Sequence, residues 1–341
     1  MNSKTPVKVA LAGCGGISHS HMAGLRQHPE LEVVACADIR EESARAWAEK
    51  YGVPKYFTDW RQLVEQVRPE VLIFATWPSQ HLEQITGAAE LRVPAILCEK
   101  ALALTEKDGA AMAAACRKSG SLLMEAFMYR HAPRTIDFMK RIRSGELGEL
   151  RCVRAVFSAP IYNPKGSNWR NVKETGGGIA YDFTCYGVNL LRAAFGQSPK
   201  RVSALAEICP EQNIIVTLHG FLDYGGGRVG HIESSQKEAW RMEAEAIGAN
   251  GILNFPLFIL PPGDQSAPLR LTQGNGWGGD YRHTEFAGGY ANPYGLQALN
   301  LAKALQEKTS LELPVEESVE NLHTMDALLK AADTGQWVTL G

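Results

Sequence analysis

The sequence predicts an α/β protein of two domains: a doubly wound parallel sheet over residues 1–125, then a second α/β domain over 126–341 with a largely antiparallel sheet. Three observations carry this. Strand and helix patterns alternate through the first third, the rhythm of βα units that build a parallel sheet. From about residue 126 strand candidates follow one another with turn residues between them, as antiparallel meanders do. A chain of 341 residues also exceeds the ~250–300 at which a single hydrophobic core stops growing.

The first element is VKVALAGCGGIS, Val7 to Ser18, a strand running into a glycine-rich turn and a helix start. Its β-branched and small apolar residues suit a strand covered on both faces. Gly13, Gly15 and Ser18 fall on the G-x-G-x-x-[G/A] spacing, with Gly16 and Ile17 between the last two. The first glycine makes the tight turn and the second lets backbone approach a pyrophosphate. The third small residue lets the helix pack on the strand, with the anion at the helix N-terminus. Such a motif alone is weak, but here an acid follows about twenty residues on, Asp38, at the end of a second strand Leu31 to Ala37. Asp38, Ile39 and Arg40 would then face the adenosine end of a dinucleotide. An acid at this point hydrogen-bonds the ribose and repels a 2′-phosphate, favouring NAD, whereas Arg40 accommodates NADP with Asp38 turned away. The bland alternative is an ordinary βα turn with a solvated aspartate.

Next comes a helix over Glu41 to Tyr51, closed by Gly52 as C-cap, and another over Asp59 to Gln66. Strand Val71 to Thr76, helix Gln80 to Leu91 and strand Pro94 to Cys98 continue the alternation. An alanine-rich helix ends near Gly120, and Ser121 to Met124 begins another strand. In the second domain the strand candidates are Leu150 to Ser158, Val202 to Ile208, Ile214 to Leu222, Arg228 to Ser234 and Arg241 to Ala246. Asp223 to Gly227 forms a hairpin turn. The Gly- and Pro-rich stretch Pro261 to Gly289 reads as long loop, and 295–335 as helices that pack back on the first domain.

A formal net charge of −2 gives no reason to expect nucleic acid or an anionic membrane as partner. No apolar run approaches the ~20 residues that span a bilayer. The start MNSKTPVKV lacks an apolar signal region, and seven singly scattered cysteines show no metal spacing. Together these point to a cytoplasmic protein with reduced thiols and no metal.

In an open α/β sheet, ligands bind beyond the carboxyl ends of the strands. Two such ends hold Thr76, Trp77 and His81, and Glu99 with Lys100. Lys100 would lie near a bound nicotinamide, where an ammonium can stabilise an alkoxide. The competing reading is a surface Glu-Lys pair. In the second domain Gly176-Gly177-Gly178 precedes a helical segment, Ile179 to Phe195. Asp182, Tyr186 and Asn189 stand on it at i, i+4 and i+7, a polar stripe where a core helix should be apolar. Tyr186 is a candidate acid–base group, and Asp182 can orient a hydroxyl or the lysine. Equally, Asp182 can simply stabilise the helix start, and Tyr186 can be a half-buried aromatic.

These residues resemble a known family. GCGGIS at 13–18, ADIR at 37–40, ATWPSQH at 75–81, CEKA at 98–101, EAFMYRHAP at 125–133, NWR at 168–170 and GGGIAYDFTCYGVN at 176–189 are similar to the Gfo/Idh/MocA oxidoreductases. The likeness runs over nearly the whole chain, and its tyrosine at 186 resembles the xylose and dihydrodiol dehydrogenase branch. It implies a Rossmann domain and a C-terminal α/β domain whose open, mainly antiparallel sheet builds a homodimer or homotetramer. It implies a catalytic trio of Lys100, Asp182 and Tyr186, with Asn168, Trp169, Arg170 and Asn189 at the substrate. Two departures stand out: Ala101 and Trp77 each occupy a position where the family carries proline. Tyr162, Tyr281 and His283 are further candidates for a sugar site.

The expected reaction is nicotinamide-dependent hydride transfer at a secondary alcohol or hemiacetal carbon of a sugar, polyol or cyclic diol. In oxidation Tyr186 accepts the hydroxyl proton, Lys100 stabilises the alkoxide, and Asp182 holds the alcohol or the lysine. The same residues also admit a redox-neutral NAD-dependent glycosidase, or a nucleotide-binding homologue without catalysis.

Overall fold

The computed structural model describes residues 5–166, 168–260, 267–274 and 280–341. The chain divides into two compact units, 1–131 with 292–319 and 132–291 with 320–341.

The first unit opens β1 (Val7–Ala12), α1 (Gly16–Leu25), β2 (Leu31–Ala37), α2 (Glu41–Tyr51), β3 (Tyr56–Phe57) and α3 (Trp60–Val67). It continues with β4 (Val71–Phe74), α4 (Pro78–Glu90), β5 (Ala95–Cys98), α5 (Glu106–Ser119) and β6 (Leu122–Glu125). Its six strands lie in the order β3-β2-β1-β4-β5-β6 and pair in parallel throughout. The order reverses between β1 and β4, the switch point beyond which dinucleotides bind in such sheets. β4 and β5 are buried at every residue, as strands covered on both faces must be. Gly52 and Gly120 close α2 and α5 in the left-handed conformation. Asp59 caps α3 by accepting the Arg61 amide, and Thr105 caps α5 by accepting that of Asp108.

The second unit begins with α6 (Pro133–Arg143), a helix not among those expected, led by proline at its first turn. There follow β7 (Leu150–Ser158), α7 (Cys185–Phe195), β8 (Arg201–Cys209), β9 (Ile214–Gly225), β10 (Arg228–Ser235) and β11 (Arg241–Gly248). Then come β12 (Gly251–Pro256), β13 (Leu269–Gln273) and β14 (Arg282–Phe286). α8 (Pro293–Glu307) belongs to the first unit, where it packs on α1. α9 (Val315–Thr334) groups with the first unit as far as Val319 and with the second from Glu320, ahead of β15 (Val338–Thr339).

Nine strands form the second sheet, in the order β14-β13-β12-β11-β7-β10-β9-β8-β15. All its pairings are antiparallel except β7 with β10. Along β9 residues alternate between buried and accessible, so one face of the sheet is covered and the other is not. α7 packs on the covered face, against β7 and β10. The stretch expected as loop, 261–289, is corrected in its described part. β13 and β14 pair antiparallel over Leu269–Gln273 and Arg282–Phe286, while 261–266 and 275–279 lie outside the described residues. The helical segment 179–195 also divides: Ala180–Thr184 is a π turn, and the regular helix starts at Cys185.

Candidate functional site

The glycine-rich turn sits where β1 and β4 end. The backbone of Gly13 is left-handed, at φ +99°, and a Cβ there would lie 2.5 Å from the Ala75 carbonyl oxygen. Only glycine meets both demands. Gly15 starts α1 with no side-chain cap, no acid occupies the first turn, and a Cβ at Gly15 or Gly16 would meet nothing within 4 Å. The positive end of α1 is thus left without a side-chain acceptor and with open space beside its glycines, which suits a pyrophosphate. Ser18 is a packing residue: its wholly buried hydroxyl donates to the Gly15 carbonyl and accepts the Trp47 indole N–H at 2.9 Å.

Asp38 faces the same turn. Its Oδ2 accepts the Cys14 amide at 2.9 Å and its Oδ1 accepts the Arg40 amide at 3.0 Å. The Arg40 side chain is 74% exposed, its Nε 3.7 Å from Oδ1, and Ile39 is 85% exposed beside it. These residues, with Thr76 and Trp77, line a groove of about 920 Å³. Its far wall escaped the sequence reading: Thr58 to Arg61 and Glu83 also line it. The Arg61 guanidinium lies 4.4 Å from the Trp60 ring and is paired with Glu83. The only warning of that wall was Asp59, which reads as a helix start.

His81 and Glu99, expected beside the cofactor, are turned inward onto the loop that carries Lys100. His81 is fully buried; its Nδ1 lies 3.1 Å from the carbonyls of both Ala101 and Leu102, and its Nε2 3.3 Å from that of Thr76. Burial lowers its pKa against the pull of those carbonyls. Glu99 Oε1 lies 2.7 Å from His21 Nε2, and Glu99 Oε2 accepts the Lys100 amide at 3.2 Å. Glu125, at the end of β6, accepts the Leu102 amide at 2.8 Å.

In the second unit the glycine triplet is a platform. A Cβ on Gly177 would lie 2.5 Å from the Val172 carbonyl oxygen and 2.8 Å from that of Arg170. The amides of Gly177 and Gly178 donate to those same oxygens at 2.9 and 2.8 Å. The Trp169–Asn171 turn, capped by Asn168 through the Arg170 amide, is thereby fixed against the start of the π turn. Arg170 then reaches Asp182, Nε to Oδ2 at 2.5 Å and Nη2 to Oδ1 at 3.5 Å, with its guanidinium 4.9 Å from the Trp169 ring. Asp182 is only 2% exposed, and a forked cation meets both of its carboxylate oxygens. Phe183 stacks on Phe157 at 3.8 Å, and Phe157 meets Tyr186 edge-on at 6.0 Å. Such aromatic pairs contribute about 0.5–1.5 kcal/mol each beyond area burial and hold the Tyr186 ring. Asn189 is buried one turn further on.

The structure thus gathers Gly13, Gly15, Asp38, Ile39, Arg40, Thr76 and Trp77 around one groove, and Asn168, Trp169, Arg170 and Asp182 into one cluster. It does not bring Tyr281 or His283 to that cluster. His283 lies on β14, the far edge strand, hydrogen-bonded to Thr272 at 3.1 Å, and three strands separate β14 from β7. Tyr162 donates its hydroxyl to the Cys209 sulfur at 3.2 Å, and that bond chiefly pushes its phenol up to about 12, a poor value for proton transfer at neutral pH. Among the described residues no group of three or more His, Cys, Asp or Glu could hold a metal ion, and no helix is long and apolar enough to cross a membrane.

Two family models cover the chain. Residues 7–127 match the model described as an oxidoreductase family, NAD-binding Rossmann fold, and residues 139–340 match its C-terminal alpha/beta domain. One relative, D-xylose 1-dehydrogenase (NADP(+)) 2 of Haloferax volcanii, is 27% identical over 337 residues, 97% of this chain and 98% of that protein. Trans-1,2-dihydrobenzene-1,2-diol dehydrogenase of Mus musculus is 29% identical over 234 residues, 68% of each chain. Among solved structures, aldose-aldose oxidoreductase from Caulobacter crescentus, complexed with glycerol, superposes with a TM-score of 0.89. It is 22% identical, over 98% of this chain and 100% of that one. A levoglucosan dehydrogenase complex with NADH and levoglucosan gives 0.87 at 21% identity, covering 98% and 99%.

Proposed function

This chain belongs to the Gfo/Idh/MocA oxidoreductase family, and we propose that its reaction is the reversible oxidation of a secondary alcohol or hemiacetal of a sugar, polyol or cyclic diol. Relatives named for xylose and dihydrodiol oxidation support the substrate class. The observation that carries the reading is the groove itself: a glycine turn at an uncapped helix start, with an acid at its rim. These residues fit a nicotinamide dinucleotide, which when bound supplies or accepts the hydride.

The amides of Gly15, Gly16 and Ile17 would hold its pyrophosphate, and Asp38 its adenosine ribose. In the oxidation direction Tyr186 takes the hydroxyl proton on its phenolic oxygen and returns it in reduction. Lys100 stabilises the negative oxygen as the C–H bond breaks. Asp182, fixed by Arg170, accepts a hydrogen bond from a substrate hydroxyl and so sets which carbon reacts. The test is a panel of sugars, inositols, diols and their keto forms followed at the nicotinamide absorbance band. Stoichiometric NADH formation supports the proposal; glycoside cleavage with no net NADH overturns it in favour of a hydrolase.

We assign the preferred cofactor as NAD. With Asp38 pinned by two amides, its charge stays at the rim and repels a 2′-phosphate. Asp38→Ser is expected to weaken NAD about tenfold, about 1.4 kcal/mol, and to strengthen NADP, read by titration of nucleotide fluorescence. An unchanged NAD-to-NADP ratio removes Asp38 from the ribose site.

The uncovered face of the second sheet carries Leu205 at 70% and Phe221 at 45% exposure, diagonal to each other across β8 and β9, where Leu205 is opposite His219 and Phe221 opposite Ser203. The Arg241–Glu233 pair at 2.8 Å reaches from β11 across β7 to β10. We propose that a second copy of the chain covers it, since apolar residues of this size ringed by matched charges suit a self-complementary interface. Leu205→Glu should bring the mass measured by light scattering down to that of one chain. A wild-type protein already at that mass sinks the proposal.

A further inference from the structure

The loop after β5 is held unusually well for one that lacks the family's proline. Ala101 leaves its φ free, yet the residues around it are gripped by three side chains, from α4, from β6 and from the loop itself. His81 on α4 binds the Ala101 and Leu102 carbonyls, Glu99 binds the Lys100 amide, and Glu125 on β6 binds the Leu102 amide. Register explains the last contact: β5 and β6 pair Cys98 with Glu125, so Glu125 stands beside the strand end from which Lys100 emerges.

We propose that Glu125 is a positioning residue for the reaction: its buried carboxylate, bonded to the Leu102 amide, fixes the direction in which Lys100 leaves the sheet. The inference rests on the reading of Lys100 as the group that stabilises the alkoxide. A purely structural role would be filled more cheaply by a neutral side chain, because a carboxylate that is 2% exposed forfeits its hydration. What a carboxylate adds is charge, in a charge-assisted bond to the amide and in attraction to the Lys100 ammonium.

The surroundings make that charge adjustable. Burial pushes the Glu125 carboxyl up to about 7, and Glu99 pushes the same way; Ser318 on α9, the Leu102 amide and Lys100 pull it down. Cys98, a further titratable neighbour, has its own thiol raised well above its ordinary value, chiefly by burial, and stays neutral. Above about 7 Glu125 is charged and the grip is strong; below it the carboxyl is neutral and the grip weakens.

The experiment compares wild type with Glu125→Gln and Ser318→Ala. Competitive acylation of the Lys100 amine, read by mass spectrometry of its peptide without nucleotide, gives the Lys100 titration midpoint. In Glu125→Gln that midpoint should fall, kcat should drop about tenfold with dinucleotide affinity kept within twofold, and any kcat inflection near neutral pH should vanish. In Ser318→Ala, the milder variant should Glu125→Gln fail to fold, the inflection should move to higher pH. An unshifted Lys100 midpoint together with an unchanged kcat profile in Glu125→Gln, or an unmoved inflection in Ser318→Ala, overturns the proposal. The labelling readout needs no turnover, so it separates this outcome from failure of the Lys100 reading, which shows as an active Lys100→Met enzyme.

Discussion

Lys100→Met should lower kcat by at least about a thousandfold while leaving the dinucleotide dissociation constant within about twofold, because the loss falls on the charge that develops during reaction. Methionine keeps the length and apolar stem of lysine and removes only the ammonium. A thousandfold corresponds to about 4 kcal/mol, the scale on which a preorganised donor to an oxyanion acts. The nucleotide should still bind, since the groove proposed for its pyrophosphate and ribose is lined by the turn after β1 and by Asp38, and not by Lys100. Steady-state rates and nucleotide fluorescence together make the check. A variant that keeps near-normal kcat removes Lys100 from the chemistry, and one that loses turnover only by losing nucleotide assigns it to binding instead.

Much of the first unit could be read from the chain because local signals agreed with one another there. The spans expected for β2 and α2 are the ones observed, Leu31–Ala37 and Glu41–Tyr51. An apolar run met a polar helix, and Gly52 marked the stop with a conformation few other residues adopt. β7 likewise matches its expected span, Leu150–Ser158. The strands of 251–286 were hidden for the opposite reason. β13 and β14 are five residues each, β14 buries none of its own, and the glycines and prolines nearby suggest loop. Their pairing is decided across the sheet, which no local pattern records.

The site divides in the same way. Residue types at strand ends were legible, but their directions were not. His81 and Glu99 were expected at the cofactor; the structure shows them buried and bonded to the loop around Lys100, whose backbone groups must be satisfied. The wall from Thr58 to Arg61 follows a strand of two residues, too short to register as a strand end. Arg170 and Asp182 were both candidates at the substrate. Their union depends on Gly177 folding back on the Trp169–Asn171 turn, a contact between backbones that side-chain chemistry does not announce.

That union yields the second large effect. Arg170→Ala should destabilise the protein by about 3 kcal/mol, the usual cost of taking a partner from a buried charge, because Asp182 is 2% exposed and both its carboxylate oxygens meet the guanidinium. Arg170→Lys should recover only part, since one ammonium cannot reproduce the fork onto two carboxylate oxygens. Adding Asp182→Asn to Arg170→Ala removes the buried charge that has lost the guanidinium, so the double variant should be more stable than Arg170→Ala alone, a coupling that urea denaturation midpoints measure. Turnover should separate from stability across this set. If Asp182 presents a charged acceptor to the substrate, the double variant regains its fold and stays inactive. A double variant that recovers both would make the pair a structural brace, and an Arg170→Ala protein as stable as wild type would mean that something other than the guanidinium carries the Asp182 charge.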